Sequence, residues 1–392
     1  MSDIADVCWR LPLTVIGAGK ASYRMALACE EIFGPDVNGV VIGPDGCRPA
    51  LRSIEALPSS HPLPDQRGVD ATIRLVRTLE TSPGEGVLCL ISGGASSLMV
   101  LPRPPISLTD KVEISRLLLA SGCAIGELNC VRKHLSLVKG GGLLRIAPRP
   151  LVAFLLSDVV GDDPAVIASG PTAADETTFA DAYAILERYE LLRLAPVSVV
   201  ELLDCGRRGE LDETVKPGSS AAGRCDNRVI GSNRLALSAA ADRARELGWR
   251  PIVREQPLTG DTTEAALAWL REMQSTNGSR LCFLAGGETT VRVRGRGRGG
   301  RNQEFALAMA DDFSGVDGVL LSAGSDGVDG PTDAAGAFVD GTTVRRAGEA
   351  GLDPRAALAE NDSYRFFAGL GDLFLVGPTG TNVMDLKIAL RC

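Results

Sequence analysis

Residues able to bind anions and metal ions stand at the ends of short apolar runs in this chain. Lys20 follows the glycine turn of GAGKAS, Gly17 to Ser22, directly after the apolar stretch from Leu13. A strand that turns through glycine into a helix leaves backbone N–H groups for an anion, and Lys20 adds a point charge. The turn is not a phosphate loop of the GxxxxGK type, because Thr14 occupies the first glycine position and Ala21 follows the lysine. It is also an incomplete dinucleotide fingerprint, with Ser22 in place of the third glycine. A tight turn with a solvated lysine is the plain alternative.

SGGASSLM, Ser92 to Met99, offers a second glycine turn. Gly93 and Gly94 let the backbone approach a ligand and form a nest of N–H groups, while Ser96 and Ser97 add hydroxyls. The serines would equally serve as helix caps. Asp158 ends a third apolar run, with Asp162 and Asp163 behind it, and Asp326 ends a fourth. Carboxylates so placed suit Mg²⁺, which takes a few carboxylates together with substrate oxygens; turn formation and capping would account for them as well.

In NCVRKHLSLVKGGGLL a helical period places Val131, Leu135 and Val138 on one face and Arg132, Ser136 and Lys139 on another, with Gly140 to Gly142 ending the helix. The two cations could clamp an anion or form a solvated face. His134 reads as a structural hydrogen-bonder, and His61, in SSHPLPD, as a weak candidate for ligand contact. VRVRGRGRGGRNQE, Val291 to Glu304, holds five arginines. It is short and lacks aromatics, which disfavours an RNA-binding reading. A flexible cationic loop closing over a phosphorylated ligand fits better, with Arg301 at the helix entry placed for transition-state charge.

The elements that must position these residues follow from the pattern. Apolar runs without alternation begin at Leu13, Val87, Leu151, Leu281, Val319 and Leu373, each breaking into glycine and small polar residues. Such runs suit strands buried on both faces of a parallel sheet. Helical stretches lie between them, for example Asp175 to Tyr189 and Arg234 to Leu247, so the class is α/β, with ligands expected beyond the carboxyl ends of the strands. The polar segment Cys205 to Asp226 reads as an inter-domain linker or an exposed loop. At 392 residues the chain exceeds one ordinary core.

The net charge of -8 and the isoelectric point near 5.1 disfavour nucleic acid as a partner. No apolar run approaches the roughly 20 residues of a membrane span. The ten cysteines include no CxxC pair, so disulfides are not expected. The acidic N-terminus is unlike a signal peptide, and the expected location is the cytoplasm.

The motifs GAGKAS, HPLPD, ISGGASSLM, VRKHLSLVKGGGL, SDVVGDDPAVIASGPT, GGETTVRVRGRGRGGRNQEFAL, GSDGVDGPTDAAGA, NDSY and GPTGTNVMDL occur in an order that resembles the glycerate 2-kinase family. The resemblance covers nearly the whole chain. It implies ATP-dependent phosphorylation of D-glycerate to 2-phosphoglycerate with Mg²⁺. It also implies a Rossmann-like N-terminal domain and a smaller C-terminal α/β domain, called MOFRL, with the active site in the cleft between them. The domains are expected at residues 1–212 and 213–372, with about 373–392 packing back on the first.

By this resemblance Lys20 and Arg301 are the catalytic residues. Gly93, Gly94, Ser96, Ser97, Lys139, Glu288, Asn302 and Asn382 are expected to contact substrate or nucleotide, and Asp158 and Asp326 the metal. A homodimer is compatible with the sequence. Two other functions remain open: an NAD(P)H-dependent reductase of hydroxypyruvate or tartronate semialdehyde, and a non-catalytic regulator that binds a phosphorylated ligand. The incomplete fingerprint disfavours the reductase, as does the lack of a clear acidic ribose partner, with Asp45 expected in a turn.

Overall fold

A computed structural model describes residues 9–46, 49–82 and 84–392. The acidic N-terminal segment, Cys8 and Cys47 lie outside the described residues. The chain divides into two compact units, Met1–Ile230 and Gly231–Cys392.

The first unit is built on the strands β1 (Leu13–Ala18), β2 (Val37–Pro44), β3 (Ile54–Ser59), β4 (Gly86–Ile91), β5 (Leu151–Leu156) and β6 (Cys225–Gly231), whose order is β3-β2-β1-β4-β5-β6. Pairing is parallel from β3 through β5. Alternate residues feed opposite faces. Ile16, Val40, Cys89 and Ile91 pack with Leu75 and Leu79 of the helix Gln66–Thr81, and Val15, Val41, Leu88 and Leu90 with Tyr23, Ala26 and Cys29 of the helix Ser22–Phe33. Both faces are therefore apolar, which explains the unbroken hydrophobic runs. The order is that of the doubly wound dinucleotide fold, and its direction reverses between β1 and β4. The loops after those strands, carrying Lys20 and Gly93, lie side by side at this switch point.

The second unit holds β7 (Arg250–Val253), β8 (Leu281–Gly287), β9 (Gly318–Gly324), β10 (Gly336–Asp340), β11 (Leu373–Phe374) and β12 (Asp385–Arg391), in the order β11-β10-β9-β12-β8-β7. Here the sheet is mixed. Only β7 and β8 pair in parallel, and β12 runs antiparallel to both β8 and β9.

Several expectations are corrected. The segment Cys205–Asp226 is no linker. Val215 donates its amide to Gly140 O at 3.0 Å and accepts that of Asp175 at 2.7 Å. Glu213 Oε1 accepts the Phe179 amide at 2.8 Å, and the chain then enters β6 of the first sheet. The boundary accordingly falls after Ile230, not at residue 212. Residues 373–392 belong to the second unit, because β12 fills the gap between β8 and β9 and satisfies the facing edges of both. Strands β2, β3, β6, β7, β10 and β12 escaped the sequence pattern, being interrupted by polar residues or glycine, as at Asn38 and Gly39 in β2. Gly141 begins a helix, Gly142–Ile146, in place of ending one; the preceding helix stops at His134.

The eight cysteines among the described residues are free thiols. Within the same residues no helix is long and apolar enough to cross a membrane.

Candidate active site

In the first unit the two glycine turns are joined and differ in what their amides do. Gly19 N donates to Ile42 O at 3.0 Å, Lys20 N to Gly93 O at 2.8 Å, and Ala21 N to the buried Ser92 hydroxyl at 3.0 Å. The first turn therefore has no N–H groups left for an anion. Its contribution is the side chain of Lys20, and the backbone nest expected there is not formed. Ser22 is likewise committed, donating its hydroxyl to Gly19 O and Ile42 O at 2.8 and 2.7 Å.

The second turn is the open one. Among the described residues the amides of Gly93 and Gly94 donate to no protein acceptor, and Gly94 is in the left-handed region at φ 83°. A Cβ on Gly93 would fall 2.1 Å from Asp158 Oδ2, and one on Gly94 would fall 3.0 Å from the His61 ring and 3.3 Å from Lys20 Cγ. Lys20, His61 and Asp158 thus ring a backbone corner that only glycine permits. Desolvation of the His61 ring and the charge of Lys20 hold its pKa below the usual imidazole range. His61 is more closely involved than its sequence context suggested; the signal was its place in a motif, HPLPD, without period or pattern.

Ser96 touches Ser169, Oγ to Oγ at 2.9 Å, and Ser97 donates to Gly94 O at 3.1 Å, so both hydroxyls brace the turn. Lys139 is buried, its ammonium 3.4 Å from Ala168 O. His134 is a buried structural residue, bonded to Cys130 O at 2.8 Å and Glu213 Oε2 at 3.1 Å.

In the second unit Arg301 is the first residue of the helix Arg301–Ala308 and is held from two sides. Asp385 grips it bidentately, at 2.8 and 2.9 Å, and Glu288 lies 2.7 Å from Nη1. Burial opposes the charge, but the Asp385 hydrogen bonds and both carboxylates raise the arginine pKa above its usual value. Asp385 is wholly buried and also accepts from Lys387 Nζ at 3.0 Å. Desolvation would raise its pKa, yet the charges of Lys387 and Arg301 keep it low.

Asn302 is committed to protein partners. It is fully buried, its Oδ1 accepting from Ser322 and Lys387 at 2.9 Å each and its Nδ2 donating to Asp329. Asp329 in turn accepts the amides of Asn302 and Gln303 at 3.0 and 2.9 Å, which anchors the start of the arginine's helix. Asp326 and Asn382 meet through a shared loop, where Thr379 N donates to Asp326 O at 3.0 Å and Ser325 Oγ lies 3.5 Å from Asn382 Oδ1.

The arginine- and glycine-rich segment is not a free lid. Gly297 N donates to Glu360 O at 2.8 Å, Arg298 N to Asp362 Oδ1 at 2.9 Å, and Arg294 N to Asn361 Oδ1 at 2.7 Å. A Cβ on Gly295 or Gly297 would strike Glu360 or Asp362 at 2.3 or 2.4 Å. Glycine is there so that two backbones can touch.

Asp158 and Asp326 belong to different units, and among the described residues no group of three or more His, Cys, Asp or Glu side chains could hold a metal ion by itself. Asp158 nonetheless suits Mg²⁺, which commonly uses one or two carboxylates and takes its other oxygens from a phosphate and water. Its carboxylate lies against the Gly93 backbone.

Phosphotransferases use open backbone amides, lysine, arginine and carboxylate groups; the first unit holds the open turn, Lys20 and Asp158, and the second unit holds Arg301. The comparisons agree. Residues 7–204 match a domain of unknown function, DUF4147, and residues 281–385 match the MOFRL family. A glycerate 2-kinase of Pyrococcus horikoshii is 38% identical over 96% of this chain and 86% of its own length. The crystal structure of a Thermotoga maritima glycerate kinase superposes with a TM-score of 0.88 at 37% identity, covering 97% of this chain and 92% of that one. A protein of Agrobacterium vitis, provisionally named a hydroxypyruvate reductase, is 42% identical over 96% of this chain and 86% of its own. The chain belongs to the glycerate kinase family, with its paired DUF4147 and MOFRL regions.

Proposed function

We propose that the protein transfers the γ-phosphoryl group of ATP to the 2-hydroxyl of D-glycerate, giving 2-phosphoglycerate and ADP. The observation that carries this reading is the pair of uncommitted amides at Gly93 and Gly94, ringed by Lys20 and Asp158. Phosphoryl transfer asks little covalent chemistry of a protein, and positioning with charge neutralisation does most of the work.

In this reading the nest holds phosphate oxygens, Lys20 neutralises charge gathering on the transferring group, and Arg301 does the same or orients the glycerate carboxylate. Asp385 and Glu288 keep the Arg301 fork aimed, so that no reorganisation is needed as charge develops. Asp158 and Asp326 are the residues that would hold Mg²⁺. A bound ion would offset the negative charge of the phosphate oxygens.

The provisional reductase name of the Agrobacterium vitis relative favours a second reading. Asp45 directly follows β2, where a dinucleotide fold places the carboxylate that holds ribose. Both of its oxygens are taken by Arg67 at 2.8 Å, however, and the first glycine turn has no amide left for a pyrophosphate.

One assay separates the readings. The protein is incubated with D-glycerate, ATP and Mg²⁺ while ADP is followed and the phosphoglycerate isomer identified, with hydroxypyruvate and NADH or NADPH run beside it. Formation of 2-phosphoglycerate is expected. Oxidation of NAD(P)H with no ADP release would overturn the kinase reading, and 3-phosphoglycerate would correct the position of transfer.

A further inference from the structure

In the first unit the helices that carry Lys111 and Arg132 pack together, both cations act on Lys139, and among the described residues no carboxylate pairs with any of the three. Lys111 lies in the first turn of the helix Leu108–Ala120, Arg132 in the last turn of Ile125–His134, and Lys139 in the turn before Gly142–Ile146. Lys111 is 4% exposed and Lys139 1%. The Lys111 ammonium has no hydrogen-bond partner, and that of Lys139 has one long contact, 3.4 Å to Ala168 O.

Acids on the same and neighbouring segments are engaged with other partners. Asp110 closes its own helix cap and binds Ser198. Asp175 pairs with Lys133 at 3.1 Å, Glu127 with Arg188 and Tyr189, and Glu213 with His134 and Lys216. Burial first, and then the charges of neighbouring cations, pull Lys111 down to about 7 and Lys139 well below the usual lysine value. An unpaired ammonium in a protein interior is costly and tends to shed its proton, whereas an anion bound beside Arg132 would favour the charged form of both lysines.

The cluster adjoins the open glycine turn. Ala168, whose carbonyl Lys139 touches, precedes Ser169, which bonds Asn129 Oδ1 at 3.0 Å and Ser96 of the turn at 2.9 Å. Ala168 and Ser169 both hold left-handed backbone, at φ 55° and 63°, a strain kept where the surroundings demand it.

We propose that Lys111, Arg132 and Lys139 form an anion pocket behind the Ser96 turn that takes an oxyanion of the reaction's own ligands, a carboxylate or a phosphate. The pocket deepens the phosphotransfer reading and rests on it for the source of the ligand.

The test is binding without turnover. Wild type, Lys111→Met and Arg132→Met are titrated calorimetrically with inorganic phosphate, with D-glycerate and with ADP plus Mg²⁺, and their Tm is recorded with and without each ligand. Methionine keeps most of the volume and removes the charge. At least one ligand should lose tenfold or more in affinity in both variants, with Arg132→Lys recovering part of it. Loss confined to phosphate and ADP assigns the pocket to the nucleotide, and loss confined to glycerate assigns it to the carboxylate. The ligand-free Tm should hold or rise.

Wild-type affinities within twofold in both variants would overturn the pocket, as would a Tm drop equal with and without ligand. If Lys111→Met does not fold, the half-buried Arg132 decides the matter. Phosphate binding that depends on Lys111 in a protein that phosphorylates no glycerate would leave the pocket standing and remove the kinase reading.

Discussion

The guanidinium of Arg301 meets the carboxylate of Asp385 edge to edge, Nε to Oδ2 at 2.8 Å and Nη2 to Oδ1 at 2.9 Å. The same carboxylate holds the buried Lys387, so one acid on β12 fixes two cations reached from different elements. Asp385→Asn should therefore cost about 3–5 kcal/mol of stability, because it leaves a buried charge unbalanced. It should also lower kcat by loosening Arg301. Urea unfolding and steady-state kinetics check both effects.

Arg301→Ala is expected to behave differently. Lys387 still balances Asp385, and Arg301 is 31% exposed, so the loss of stability should be smaller than for Asp385→Asn. Turnover should fall by about 10³ or more, the range seen when an arginine on the transferring phosphate is removed. Near-normal kcat would exclude Arg301 from the chemistry.

Ser92 joins the two glycine turns through its hydroxyl, which accepts the Ala21 amide at 3.0 Å. Ser92→Ala leaves that buried amide without an acceptor and should cost about 1–3 kcal/mol. Because the bond lies next to Lys20, kcat should fall further than a stability loss at a remote site would predict. A remote variant matched in Tm supplies the comparison.

Gly93→Ala tests the open turn. The new methyl would lie 2.1 Å from Asp158 Oδ2 and must displace it, so kcat/KM should drop at least about tenfold, with transition-state contacts of this kind worth 10²–10³ each. Gly126, on an exposed helix turn, would meet nothing within 4 Å. Gly126→Ala should leave activity unchanged and raise stability by about 0.5–1 kcal/mol.

Stability should depend on alkaline pH through Lys111. Burial lowers its folded pKa to about 7 from 10.5, so between these values the unfolded chain binds more protons than the folded one. Stability then rises with pH across that window, by on the order of 1 kcal/mol or more between pH 7 and 9. Below pH 7 the cost is fully present. Lys111→Met should flatten the slope in ligand-free protein, as read by urea unfolding at the two pH values.

Much of this was legible in the residues themselves. Unbroken apolar runs ending in glycine or small polar residues marked β1, β4, β5, β8 and β9, since a strand buried on both faces needs apolar side chains on both. Strand ends are where an α/β sheet binds ligands, so Lys20, Gly93, Asp158 and Asp326 stood out from local pattern, and the ordered motifs named the family. What tertiary structure alone decided is which groups at those ends remain available. GAGKAS and SGGASS look alike as anion turns, but the acceptors that occupy the first, Ile42 O, Gly93 O and Ser92 Oγ, come from neighbouring strands. Asn302 reads as a ligand residue in sequence, and only the fold shows that Ser322, Lys387 and Asp329 enclose it. Lys111 carried no local signal, because its burial and the nearby charge of Arg132 come from separate elements packed in the fold. Local sequence sets backbone shape and burial period, whereas hydrogen-bond satisfaction and charge balance are properties of neighbours in space.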